Sequence, residues 1–218
     1  MTLIEPIKAE SLQKKVYNVL RAAILSGELK PGENLTLGEI AKKLHVSTMP
    51  VREALRRLES QGMVTFSSQK KITVTQLSIE DLEEFYWIRI PLECRAFARN
   101  FEKLNAKAIK ELENLDKLMR KKENRGPEWV RLNRKFHMIL YGADKSPVLK
   151  GALAWLWDNV TAYLNIYAQS SVIDEANDRH KGIIDAIKNK DSAKASQLLE
   201  QHLNSGLQVI GPTLRNLT

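Results

Sequence analysis

The sequence predicts a mainly α-helical protein in two parts: three helices and a β-hairpin, followed by an all-helical bundle. Apolar residues recur at helical spacing through most of the 218 residues, and the period changes to alternation only between Val64 and Thr75. Gly and Pro fall at the ends of the stripes, where helices must stop or turn. With 43% hydrophobic residues, a chain of this length has enough apolar surface for buried cores.

Leu12, Val16, Val19, Leu20, Ala23 and Ile24 form the first stripe, with Ser11 as its N-cap and Gly27 as its stop. Pro31 and Gly32 mark a turn, and Leu37, Ile40, Ala41 and Leu44 give a short second helix ending near His45 and Val46. Ser47 caps a third helix. Pro50 sits in its first turn, where a missing N–H costs nothing, and Val51, Leu55 and Leu58 form its buried face. Gly62 follows. Val64 and Phe66 then alternate with Thr65 and Ser67, and Ile72 and Val74 with Thr73 and Thr75, around a polar tip from Ser67 to Lys71, which reads as a two-stranded hairpin. From Ser78 the pattern is helical to the end. A long helix to about Asn100 contains Pro91, expected to kink it, and further helices are expected at about 105–124, 127–143, 146–171, 174–189 and 191–210. The domains are placed at 9–76 and 78–212.

The formal charge is +8, and its distribution says more than its size. Residues 1–75 hold 12 Lys and Arg against 7 Asp and Glu, a net of +5, leaving +3 for the rest. This favours a polyanion as partner of the first part. The single cysteine, Cys94, excludes an internal disulfide and a Cys-rich zinc site, and it suits a reducing compartment. No segment approaches ~18 uninterrupted apolar residues, and the first residues do not resemble a signal peptide, so a cytoplasmic protein without membrane partners is expected.

Helix, tight turn, helix and a basic hairpin make a winged helix-turn-helix, whose second helix normally enters the major groove of double-stranded DNA N-terminus first. The residues so presented are Ser47, Thr48, Met49 and Arg52. Arg52 suits a bidentate pair with guanine, Arg56 a phosphate one turn further on, and Lys70 and Lys71 the backbone or minor groove beside the wing. Solvated surface charge is the plain alternative for each taken alone. The stretch PGENLTLGEIAKKLHVSTMPVREALRRLESQGMV resembles the DNA-binding domain of GntR-type regulators. That resemblance implies a homodimer on a symmetric operator, with Arg52 as the recognition arginine. Thr48 stands where that pattern usually has arginine, Lys71 at or near its wing-tip glycine, and His45 at its turn glycine. Histidine is among the residues that tolerate φ > 0.

In the second part, Asn133 and His137 lie four apart on one helix, His180 is in register with Ile183, Ile184 and Ile187, and His202 with Leu199, Gly206 and Val209. Any one of these histidines reads as a packed core residue; three inward-facing together suggest convergence on one centre, imidazole being the commonest metal ligand. Residues 78–210 resemble the all-helical ligand-binding domain of the FadR branch, FCD subgroup. The resemblance implies a divalent transition metal, zinc first and nickel or manganese as alternatives, held by Asn133, His137, His180 and His202. Arg89, in RIPLE at 89–93, is then a candidate partner for a carboxylate effector, or else a salt-bridge partner of Glu93. Asn133 is neutral where a carboxylate is common, and Arg179 replaces a usual glutamate beside His180. Residues 151–178 contain no Lys or Arg, so either the effector is less anionic than usual or Tyr163 and Tyr167 are expected to hydrogen-bond it instead. Of Trp155 and Trp157, at least one is expected in the core.

The function so read is sequence-specific transcription regulation, in the mode of a repressor whose operator affinity a small effector changes. A metal-dependent hydrolase is the rival, since three histidines with an open position can activate water. The sequence has no H-E-x-x-H, no G-x-S-x-G and no base evidently paired to these histidines.

Overall fold

Caps and turns set the limits of the first helices. In the computed structural model, which describes residues 11–67, 71–170 and 172–215, the chain divides into two compact units between Gln76 and Leu77. In the first, helix α1 (Leu12–Ser26) starts where Ser11 Oγ accepts the Lys14 N–H at 3.3 Å, and it stops at Gly27, whose φ is 79°. Helix α2 (Leu37–Leu44) starts where the Thr36 hydroxyl accepts the Glu39 N–H and donates to the Glu39 carboxylate at 2.6 Å. His45 ends it in the left-handed region, φ 53°, as the glycine-like turn position requires. Helix α3 (Thr48–Glu59) follows at once, with Ser47 as its N-cap residue.

The hairpin is part of a three-stranded antiparallel sheet. Strands β2 (Val64–Phe66) and β3 (Ile72–Val74) pair in the expected register, with Thr65 opposite Thr73. The two-residue strand β1 (Asn34–Leu35) adds to the other side of β3, with Leu35 opposite Ile72. Two residues are too few to show alternation, which is why the sequence reading stops at two strands. Val16, Leu20 and Ile24 of α1, Val51, Leu55 and Leu58 of α3, and Leu35, Val64, Ile72 and Val74 of the sheet close one core. Leu12 and Val19 fall outside it and stay half exposed.

The second unit is helical among its described residues: α4 (Ile79–Asn100), α5 (Ala106–Met119), α6 (Pro127–Leu140), α7 (Pro147–Tyr167), α8 (Ile173–Lys188) and α9 (Ser192–Arg215), with single 3-10 turns at 101–103, 122–124 and 143–145. Several expected helices are shortened: α5 gives way to the turn at 122–124, and α6 stops short of Gly142, which has φ 60°. Helix α9 instead runs past its expected end and through Pro212. Ile210 and Leu214 continue its buried stripe, and that burial offsets the hydrogen bond proline cannot make. Helix α9 packs on α4, α7 and α8, and α4 also packs on α7. No helix among the described residues is long and apolar enough to cross a membrane.

Candidate nucleic-acid interface and metal centre

Helix α3 buries Val51, Ala54, Leu55 and Leu58 and turns its opposite face outward. Ser47, Thr48, Met49 and Arg52 are all exposed at its N-terminal end, Met49 at 60%. Arg52 has no ion-pair partner among the described residues, so its five guanidinium donors are uncommitted. Arg56 is engaged otherwise: it pairs with Glu59 at 3.0 Å and lies over the Phe66 ring of β2 at 4.6 Å. A phosphate contact by Arg56 would compete with both. Lys71 is exposed beside β3, its carbonyl accepting the Ser67 N–H at 2.9 Å, and Lys70 lies outside the described residues.

In the second unit, α6, α8 and α9 bring His137, His180 and His202 together. The Nε2 atoms of His137 and His180 each lie 3.2 Å from Nε2 of His202, and one ligand atom from each ring falls within 4.8 Å of the others. All three rings are buried. Burial in apolar packing holds His180 down at about 3 as the largest effect, with Arg120 and Arg179 adding to it. His137 and His202 are likewise held well below the ordinary range, first by burial and then by neighbouring rings and Arg89. The imidazoles are therefore neutral, as ligation requires. Asn133, one turn before His137 on α6, is buried, and its Oδ1 has no hydrogen-bond partner among the described residues.

These four residues fit a metal ion. His202 Nε2 touches two other ring nitrogens yet carries either one proton or one lone pair, so hydrogen bonding satisfies only one contact. Nitrogens about 2.0–2.1 Å from a shared ion and roughly 100° apart around it are separated by about the distance observed. An ion here would also give Asn133 Oδ1 the partner it lacks. The set of three nitrogens and one amide oxygen suits zinc, nickel or manganese in chemical type and contributes no charge.

A small cavity, about 20 Å³ open to the centre of a water-sized sphere, adjoins this centre. Its lining includes Asn133 and His202 together with Arg89, Tyr86, Trp129 and Tyr167. That is room for about one water, so a larger ligand needs side chains to yield. At Gly206 in α9, an added Cβ would lie 2.5 Å from the Tyr86 hydroxyl, so the absent side chain lets helix and tyrosine meet at the cavity wall. Arg89 makes the salt bridge with Glu93 that the sequence allows. Its Nε donates to Glu93 Oε1 at 3.0 Å and its Nη1 to the Tyr86 hydroxyl at 3.1 Å, and it also lines the cavity. Burial is the largest single effect and works against its charge, but Glu93, Tyr86 and Tyr141 together outweigh it, so its pKa is raised.

Tyr167 lies on the cavity wall, whereas Tyr163, one turn earlier on α7, is placed elsewhere. Its ring packs on Phe85 and its hydroxyl accepts the Ser78 N–H at 3.3 Å. Trp157 is fully buried with Arg89 over its ring at 4.6 Å, and Trp155 is 44% exposed. Arg179 pairs with Glu175 at 3.3 Å. Sequence reasoning passed over Tyr141, whose hydroxyl lies 2.6 Å from His137 Nδ1 and donates to Glu93 Oε2. The signal was available in the i, i+4 spacings of Arg89 with Glu93 and of His137 with Tyr141.

Comparison with known proteins agrees with both units. Residues 12–74 match the family described as bacterial regulatory proteins, gntR family, and residues 84–205 match the FCD domain. The HTH-type transcriptional regulator YdhC of Bacillus subtilis is 30% identical over 197 residues, covering 86% of each chain. The HTH-type transcriptional regulator McbR of Escherichia coli is 27% identical over 209 residues, 94% of this chain and 95% of McbR. The solved structure of Escherichia coli McbR/YncC superposes with a TM-score of 0.80, covering 94% of this chain and 99% of that one. The HTH-type transcriptional repressor GlaR of Escherichia coli is 26% identical, covering 89% of this chain and 93% of GlaR.

The buried neutral rings set a pH dependence. An unfolded histidine titrates near 6.5. All three rings titrate lower when folded, so the unfolded chain takes up protons first as the pH falls. In metal-free protein this contribution is whole above about pH 6.5 and drains away towards about 3, the folded value of His180. Urea midpoints taken at about pH 7.5, 6 and 5 should fall steadily in the wild type and less steeply in His180→Asn. A midpoint that rose on acidification would contradict neutral burial.

Proposed function

Because the chain belongs to the gntR family of bacterial regulatory proteins and carries an FCD domain, we propose that it is a dimeric repressor whose grip on operator DNA is set by a small carboxylate bound beside a divalent metal. It is a DNA-binding transcription regulator and not an enzyme, as its relatives and fold neighbours are. The observation that carries the DNA reading is the outward N-terminal end of α3, where Arg52 stands exposed without an ion-pair partner among the described residues. Arg52 reads a guanine, and Lys71 holds the phosphate backbone. Among the described residues the hydrolase alternative lacks a free base beside the histidines: the Glu93 carboxylate, 3.9 Å from His137 Nδ1, is already committed to Arg89 and Tyr141.

The effector reading rests on Arg89. Two of its donors are used by Glu93 and Tyr86, and the others remain to receive a carboxylate in the cavity, where Tyr167 offers a hydroxyl. A metal held by Asn133, His137, His180 and His202 would supply a Lewis-acid site there. Helix α4 carries Arg89 and directly follows the DNA-binding unit in the chain, so a ligand that favours one placement of α4 shifts the population competent for operator binding. For the dimer, a second copy covers exposed apolar side chains on the neighbouring helices α4 and α7. These are Trp87 at 80% exposure, Ile88, Val148 at 84% and Trp155, with Phe85 and Trp155 in edge contact at 6.1 Å. Patches of this kind mark association surfaces.

Arg52→Ala should lose about 1–3 kcal/mol of discrimination between operator and scrambled DNA. Lys71→Ala should weaken both alike and lower the salt slope by about 1, as read by fluorescence anisotropy over a salt series. Equal loss of specificity in both variants would refute the division of roles.

Protein purified without a histidine tag or chelator should carry near-stoichiometric metal that His137→Ala loses, as measured by elemental analysis. Small carboxylates added to the loaded protein should change its operator affinity. Tight binders that left operator affinity untouched would refute the coupling.

Trp87→Asp should shift the protein from dimer to monomer in sedimentation and reduce operator affinity, whereas a dimer unchanged by Trp87→Asp would place the interface elsewhere.

A further inference from the structure

The three histidines of the centre are not held alike. His180 and His202 have buried Nδ1 atoms with no hydrogen-bond partner among the described residues. His137 instead ends a buried chain of four side chains: Arg89 donates to Glu93 at 3.0 Å, Tyr141 donates to the other Glu93 oxygen, and the Tyr141 oxygen lies 2.6 Å from His137 Nδ1. Arg89, Glu93, Tyr141 and His137 come from α4, α6 and the residue that closes α6, and all are buried.

The order of protons along this chain follows from what each group can do. A guanidinium has only protons to give, and a carboxylate held by one has only lone pairs. The single Tyr141 proton therefore points to Glu93. What the hydroxyl has left for His137 is a lone pair, so Nδ1 must carry the ring proton. Nε2 is then unprotonated, and it is the atom that faces His202 Nε2 at 3.2 Å.

We propose that Tyr141 and Glu93 are positioning residues that lock His137 in its Nδ1–H tautomer and present Nε2 as the pre-set ligand of the three-histidine centre, leaving His180 and His202 to adapt. The proposal rests on reading that centre as a metal site, but its first test does not. A partner on the distal nitrogen fixes both tautomer and ring orientation, and losing such a partner typically costs 10–100-fold in metal affinity. The chain starts at Arg89, so the cavity wall and the His137 ring share one run of hydrogen bonds.

The experiment begins with metal-free wild-type protein labelled with ¹⁵N in histidine, its His137 signals identified by their loss in His137→Gln. Two-bond ¹H–¹⁵N correlations should show His137 as a single Nδ1–H tautomer; an Nε2–H ring would overturn the proposal without any further variant. In Tyr141→Phe, checked for folding by near-UV circular dichroism, the His137 tautomer should no longer be fixed. Its zinc affinity, read by competition with a chromophoric chelator, should fall about 10–100-fold. An unchanged tautomer together with unchanged zinc affinity would also overturn the proposal. A fixed Nδ1–H tautomer in wild-type protein that takes up no zinc, nickel or manganese would support the positioning chain while overturning the metal reading.

Discussion

Three imidazole nitrogens held within contact distance in an apolar core are the constraint around which the helical unit is arranged. Each ring comes from a different helix, so α6, α8 and α9 must all be in place before the nitrogens can meet. Bringing charged rings there would leave cations unsolvated beside one another, which burial forbids. The rings stay neutral, and neutrality leaves lone pairs that cannot all find protons. An arrangement that is awkward as a hydrogen-bond network is well suited to a shared cation. The aromatic packing around it, with Phe136 4.5 Å and Trp129 6.1 Å from the His180 ring, keeps the rings oriented.

The buried Arg89–Glu93 pair is the second constraint. Removing one partner of such a pair typically costs about 3–5 kcal/mol, because the other charge is left in the core alone. Arg89 therefore cannot be taken from Glu93 by a ligand without compensation, and the proposed carboxylate would have to share the guanidinium through its remaining donors. A planar fork with five N–H groups allows such sharing where a lysine would not. Tyr86 and Trp157 flank the guanidinium, with ring centroids 5.1 Å and 4.6 Å from it.

Much of this was legible in the sequence because it depends on local period. The helix-turn-helix, the wing strands and the inward faces of Asn133, His137, His180 and His202 all follow from spacing and punctuation. What was not legible depends on tertiary approach. The 3.2 Å contacts between rings on three helices have no counterpart in spacing. Tyr163 and Tyr167 sit one turn apart on α7 and are both buried, so only the packed helices decide that one lines the cavity and the other holds Ser78. Tyr141 resembled an ordinary core aromatic: its i, i+4 spacing to His137 was visible, but nothing along the chain reveals that Glu93 lies across from it. Arg56 passed for a free phosphate contact because Phe66, over which it lies, is ten positions away on a strand.

The packing of tryptophan against the histidines also has an optical consequence. Trp129 is stacked on His180 with an interplanar angle of 24°, and the Trp157 ring centroid is 5.2 Å from that of His137. The other two tryptophans, Trp87 and Trp155, are exposed. The protein thus carries two kinds of indole emitter, one pair embedded beside the three histidines and one pair on the outer faces of α4 and α7, where the proposed second copy would cover it. Blue-edge emission follows events in the core and red-edge emission follows events at the surface, so two parts of one unit can be watched in a single spectrum without any added label.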